Sequence, residues 1–318
     1  MKGKDWLLFW TLGLIWGSSF LWIKIALQNV GPFTLVAWRL LIGVTTLGIV
    51  VLLRRPAFPR EWKILGMLAI LGVTNTALPF VLISWGEQTI DSAVASILNG
   101  SVPFFAMIFA HFALEDDRIT RSKVSGLIVG FLGVFVLMSG DLAPGGFLRG
   151  GLGQLAVLLA AVLYAFSSVF ARKNLHGLSP IVQAFLPLVV ADAMIWTGAL
   201  AVEAPAVVPT ARSAWIAVTW LGVLGSGVAY LLLFNLLHRV GPTRTTMVTY
   251  VFPVVGLFLG VVFLHEALTL RLIAGAGMIV AGILVVNGSE ILRGLLERPR
   301  AAPAGQEASP PTSGAANG

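Results

Sequence analysis

Apolar residues run through this chain in blocks of about 20, the length of helix that spans a bilayer core roughly 30 Å thick. Short stretches of charge, Pro-Gly or Asn-Gly separate the blocks from Trp6 almost to Gly288. Hydrocarbon leaves no backbone polar group a partner outside its own helix, so each block reads as a membrane-spanning helix. Cutting at the polar breaks predicts ten spans, at 6–28, 33–53, 63–85, 91–113, 121–140, 151–172, 180–202, 212–236, 244–264 and 270–288. The expected fold class is all-α integral membrane.

Composition reinforces this: 57% of residues are apolar and 11% charged, less than half the charge of an ordinary soluble domain. No soluble domain remains to be placed. Residues 290–318, rich in Pro, Ala, Gly and Ser, read as a disordered tail. With the N-terminus inside, sixteen of the 21 Lys and Arg fall in cytoplasmic segments, and Arg149, Arg212 and Arg271 fall outside. That split follows the positive-inside rule. It predicts a multi-pass protein of the plasma (inner) membrane with both termini cytoplasmic, and it explains the net charge of +7 without a nucleic-acid partner. The chain has no cysteine, and its four histidines lack ligand spacing, so neither a metal nor another cofactor is expected.

The blocks also repeat. "SSFLWIKIALQNVGP" (18–32) aligns with "FSSVFARKNLHGLSP" (166–180) at an offset of 148, pairing Ser19 with Ser167, Lys24 with Arg172 and Pro32 with Pro180. Gly72 and Gly222, and Pro103 and Pro253, stand 150 apart, and 117–133 matches 266–282 at 149. The order never breaks, which points to duplication. The expected organisation is a repeat at 1–140, a loop at 141–150, a second repeat at 151–289, and the tail. Five spans is an odd number, so the second copy enters the membrane from the opposite side, and the two five-helix repeats are inverted. Secondary transporters use that architecture, with a solute near midplane and a gate in each half.

"LIWGSSFLWIKIAL", "LVAWRLLIG", "SVPFFAMIFAHFALEDDRIT" and its echo "YVFPVVGLFLGVVFLHEALT" resemble the EamA-type transporters of the drug/metabolite transporter superfamily. The resemblance covers about residues 6–288. It implies ten transmembrane helices in two inverted repeats and transport of small organic solutes, often export of amino acids or related metabolites, commonly driven by proton exchange or the substrate gradient. One departure is "ALEDDRIT": Asp117 takes the place of the family's single acid, and Glu115 and Asp116 are extra.

A charge at bilayer depth costs about 2.5 to 3.5 kcal/mol on insertion scales, which makes the ionisable residues inside spans candidates for function. Lys24 lies roughly 6 Å from the outer end of the first span and Arg39 roughly 10 Å inside the second. Both are expected to face the outer half of a central cavity, where they attract a carboxylate or phosphate; the alternative is that they snorkel to the outer headgroups. Asp192, the one acid near the middle of a span, is the candidate for proton coupling. Trp16 and Ser19 in the first span match Tyr164 and Ser167 in the sixth. Asn75, Asn99 and Tyr250 add polar and aromatic groups in the third, fourth and ninth. Aromatic walls with a few polar contacts suit a small-molecule pocket, although each residue is also a common interface or helix-packing group. Pro103 and Pro253 are expected to kink their spans at equivalent places. The glycines of spans five and ten are expected to seal a packed or dimer interface.

The leading expectation is a secondary transporter exporting a small organic solute, surrounded by membrane lipid and present as a monomer or homodimer. The alternatives are a translocator of lipid or lipid-linked headgroups, with Lys24 and Arg39 on a phosphate, and an integral membrane enzyme, for which the sequence offers no interfacial cluster of His, Asp and Glu.

Overall fold

A computed structural model of the chain describes residues 3–114, 121–142, 150–175, 177–205, 207–240, 245 and 247–296. The acidic departure at 115–117, Arg149 and the tail from 297 lie outside the described residues. Among the described residues every regular element is helical: α1 (Gly3–Ala26), α2 (Pro32–Arg54), α3 (Trp62–Gly72), α4 (Leu78–Gly86), α5 (Ser92–Asn99), α6 (Val102–Ala113), α7 (Arg121–Met138), α8 (Leu152–Asn174), α9 (Pro180–Val202), α10 (Arg212–Trp220), α11 (Ala229–Val240), α12 (Val251–Phe263) and α13 (Leu270–Leu296). Two π-helical segments interrupt otherwise continuous rods, Val73–Ala77 between α3 and α4 and Leu221–Val228 between α10 and α11.

Seven stretches are long and apolar enough to cross a membrane: Gly3–Ala26, Pro32–Arg54, Trp62–Gly86, Ser92–Ala113, Leu152–Asn174, Pro180–Val202 and Arg212–Leu233. Shorter apolar helices, Lys123–Met138, Val248–Phe263 and Leu270–Val286, stand where the fifth, ninth and tenth spans are predicted. Helix α13 continues to Leu296, past the predicted end of the last span.

Local chemistry sets several boundaries. Pro32 and Pro180 open α2 and α9 after extended Gly31 and Ser179, at the position where a missing N–H costs nothing. Pro103 and Pro253 do not kink continuous helices. Each lies in the first turn of a helix that restarts after a break, at Gly100 and Ser101 in one case and in the 3₁₀ turn Met247–Tyr250 in the other. A proline fits the first turn because no earlier carbonyl awaits its N–H.

Helix α2 packs on α9 and on the second π segment, α9 on α3 and the first π segment, α8 on α4 and α6, α12 on α1 and α5, and α13 on α7. The α7–α13 crossing is made by glycines. A Cβ on Gly126 would lie 2.6 Å from the Gly282 carbonyl oxygen, and one on Gly133 would lie 2.8 Å from that of Gly275. These glycine faces are therefore filled within the chain.

At one end of the bundle, side chains close the starts of three helices. The Glu203 carboxylate accepts the Phe33 and Thr34 N–H groups of α2 at 3.0 and 2.8 Å. Glu266 accepts those of Ser92 and Ala93 in α5 at 2.7 and 2.9 Å. Asn29 Oδ1 accepts Thr210 and Ala211 N–H just before α10, at 2.8 and 3.1 Å. An anion at a helix N-terminus meets both unpaired donors and the positive end of the dipole. Glu203→Ala and Glu266→Ala are each expected to destabilise the fold by about 1 to 2 kcal/mol, and roughly additively when combined. Thermal midpoints of the purified single and double variants check this.

Candidate functional site

Arg39 lies two turns into α2 and is 4% exposed. Its guanidinium sits over the Phe80 ring of α4, 3.8 Å from the centroid, and Nε donates to Ser226 Oγ at 3.0 Å. A guanidinium carries five N–H donors in a planar fork. Among the described residues the Ser226 hydroxyl is the one hydrogen-bond acceptor it has.

Both π segments serve this position. A π turn disturbs the i−4 hydrogen-bond ladder and re-aims the residues around it. The second segment supplies Ser226 to Arg39 and the Gly225 carbonyl to Trp16, whose Nε1 donates at 3.0 Å. A Cβ on Gly225 would stand 3.6 Å from both Arg39 Nη2 and Ser19 Oγ, at ordinary contact distance, so this position lies beside both side chains. The first segment holds Asn75, whose Nδ2 donates to the Tyr230 hydroxyl at 3.4 Å, and Thr76, which also hydrogen-bonds Tyr230. Ser167 reaches the same segment, donating to Thr74 Oγ1 at 2.7 Å. Tyr164, Tyr230 and Glu87 lie within electrostatic reach of Arg39. Trp16 meets Tyr230 and Phe252 edge-on, with centroids 6.2 and 5.9 Å apart.

The structure thus gathers Trp16, Ser19, Arg39, Asn75, Tyr164 and Ser167 around the two π segments. It sets four other candidates apart. Lys24 Nζ donates to the backbone carbonyls of Glu87 and Ile90 at 2.6 and 2.7 Å, fastening α1 to the turn after α4. Asn99 ends α5 at the break before Pro103, buried with Oδ1 unpartnered. Tyr250 precedes α12 at the corresponding break. Asp192 is half-buried on α9, bonded to Trp196 through one oxygen with Oδ1 unpartnered, and is not among the groups that act on Arg39. Among the described residues no three His, Cys, Asp or Glu converge as a metal site.

Phe80, Gly225, Ser226 and Tyr230 were not legible as site residues. Each reads singly as an ordinary apolar or small residue of a span. The available signal was the glycine pair at 72 and 222, which falls where the two π segments begin, together with the glycine-rich run "LGVLGSGV" that makes up the second.

Apolar helices closed around a buried cation and aromatic walls make this a multi-pass membrane protein with an internal polar site. The model of the EamA-like transporter family matches residues 5–139 and 151–288, and the chain belongs to that family. It is similar to an uncharacterized transporter of Archaeoglobus fulgidus, 27% identical over 289 residues that cover 89% of this chain and 98% of the relative. A probable terminal-alkyne amino-acid exporter of Streptantibioticus cattleyicolor is 28% identical over 290 residues, covering 87% and 92%. A solved crystal structure with 22% identity matches at a TM-score of 0.66, covering 91% of this chain and 99% of that one, a likeness of fold. The chain is a membrane transporter.

Proposed function

We propose that the chain is a secondary transporter of ten membrane-spanning helices in two inverted five-helix repeats, 1–140 and 151–289, linked by the loop 141–150. It exports a small organic solute bearing a carboxylate, an amino acid or a close relative, by alternating access between the halves. Both termini are cytoplasmic, and the working unit is a monomer or homodimer. The observation that carries the solute class is the buried Arg39 fork between the two π segments, held on one edge by Ser226 and backed by Phe80. Such a fork matches a carboxylate in geometry and charge.

Packing supports the repeats. Exchanging the halves turns the contact of α2 with the second π segment into that of α9 with the first, α4 on α8 into α11 on α1, and α1 on α12 into α8 on α6. Gly72 abuts the Pro187 carbonyl and Gly222 the Arg39 carbonyl, two contacts that exchange the same way. The Streptantibioticus relative, named as a probable amino-acid exporter, supports the solute class.

Proteoliposomes of the full chain loaded with radiolabelled amino acids, with and without a pH gradient, test the proposal. Release of a carboxylate-bearing solute that depends on Arg39 is expected; no movement of any member overturns it. A second reading, lipid headgroup translocation, is favoured by an apolar groove beside α10 lined by Trp215, Trp220 and Leu224 with Arg212 at its edge. Headgroup-labelled lipid crossing the same bilayers would select that reading.

A further inference from the structure

Helix α10 opens with a cation that its own dipole disfavours. Arg212 is the first residue of the apolar stretch Arg212–Leu233, at the edge of the hydrocarbon, and no acid accompanies it in the first turn of α10. A positive charge at that end of a helix meets the positive end of the dipole. Arg212 is exposed, and among the described residues it makes neither a hydrogen bond nor an ion pair. Its counter-charge therefore comes from outside the chain.

Below Arg212 runs the groove beside α10, lined by Trp215, Ile216, Trp220 and Leu224. From Arg212 to Leu224 it follows about three helical turns, roughly 18 Å. That is close to half of a hydrocarbon core about 30 Å thick, the depth that one acyl chain fills. Its two indoles are fixed from behind. Trp215 meets Trp38 of α2 edge-on, with centroids 4.8 Å apart. Trp220 lies against Trp22 of α1 at 5.2 Å and donates to Ser18 Oγ at 3.3 Å. A groove held open in this way orders few side chains when it is filled.

We propose that the groove beside α10 is a binding site for one anionic phospholipid, its phosphate on Arg212 and an acyl chain laid over Trp215 and Trp220 as far as Leu224. A guanidinium suits a phosphate in geometry and charge. A zwitterionic headgroup brings a cation of its own toward Arg212, which cancels part of the attraction and makes the site select net negative lipid. The end of the acyl chain reaches the second π segment just before Gly225 and Ser226, the partners of Trp16 and Arg39. The lipid is a resident of the groove and does not cross the bilayer, which separates this inference from headgroup translocation. It holds whichever solute the chain moves.

Tryptophan fluorescence tests it. The full chain is reconstituted in phosphatidylcholine vesicles in which equal fractions are replaced by phosphatidylglycerol or phosphatidylcholine with dibrominated acyl chains, which quench the indoles they touch. Brominated phosphatidylglycerol is expected to quench more strongly, with at least a threefold preference over phosphatidylcholine. Arg212→Lys is expected to keep part of that preference and Arg212→Ala to abolish it, with thermal midpoints near wild type because Arg212 is exposed. Replacing Trp215 and Trp220 together by Phe is expected to remove most of the extra quenching. Equal quenching by the two lipids, as an unselected lipid shell or a second copy of the chain over α10 would give, overturns the site, and so does a preference that survives Arg212→Ala. In the same vesicles, headgroup-labelled phosphatidylglycerol is expected to cross no faster than in vesicles without the chain. Faster crossing overturns residence and makes the groove a translocation path.

Discussion

Arg39→Ala is expected to lower transport of a carboxylate-bearing solute by on the order of 100-fold or more, because truncating one partner of a buried charge pair costs about 2 to 5 kcal/mol. Arg39 is the buried cation that the fold places between the π segments, and in the proposed function its guanidinium holds the solute anion. Arg39→Lys keeps the charge but loses both the planar fork and the stack on Phe80, so an intermediate loss of about tenfold is expected. Ser226→Ala leaves the guanidinium in place, removes one orienting bond and should cost less than either. Initial rates in proteoliposomes, with the thermal midpoint of each variant as a folding control, give this order. Equal loss in all three, in step with the thermal midpoint, would make Arg39 a packing residue only.

Gly282→Leu is expected to have the largest effect on stability, at or above about 3 kcal/mol, the upper range for overpacking a close contact. A Cβ at Gly282 would stand 2.5 Å from the Gly126 carbonyl oxygen, 2.6 Å from the Gly130 nitrogen and 2.8 Å from its Cα, all backbone atoms of α7. A flexible side chain could swing aside from such a contact. A helix backbone cannot, so α7 and α13 must separate along their whole crossing. Gly277 lies on the same helix with nothing within 4 Å of where its Cβ would be, and Gly277→Leu should leave the thermal midpoint nearly unchanged. Comparable losses in both would mean that the helix interior, and not the crossing, is what leucine disturbs.

The all-helical, membrane-spanning character of this fold was legible because span length and apolar composition are one-dimensional properties. The repeat spacing paired Gly126 with Gly275 and Gly133 with Gly282, and those glycines meet across one crossing. Arg39 stood out because a cation in an apolar block is costly wherever it points. What could not be read is where a helix loses its regular ladder. Glycine, serine and threonine in "VTNTA" and "LGVLGSGV" suit a π turn, yet they suit close helix packing equally, so Ser226 carried no distinctive mark. Lys24 looked like a companion to Arg39 by depth alone, but its partners are carbonyls of a turn more than 60 residues away in the chain. Glu87 lies in that turn, between two predicted spans, and its burial depends on what is folded over the turn. The two prolines were expected to kink their spans and instead stand in the first turns of restarted helices, because a break and a kink leave the same trace in sequence.

The caps by Glu203, Glu266 and Asn29 each join the two halves of the chain, and all lie at one end. In the alternating-access cycle proposed above, opening that end would exchange these bonds for bonds to water one after another, so they would act as a kinetic brake as well as a source of stability. A chain with tighter caps would remain closed longer in each cycle. A chain with weaker ones would turn over faster until the seal leaked, which sets opposing limits on how strongly those three side chains can hold.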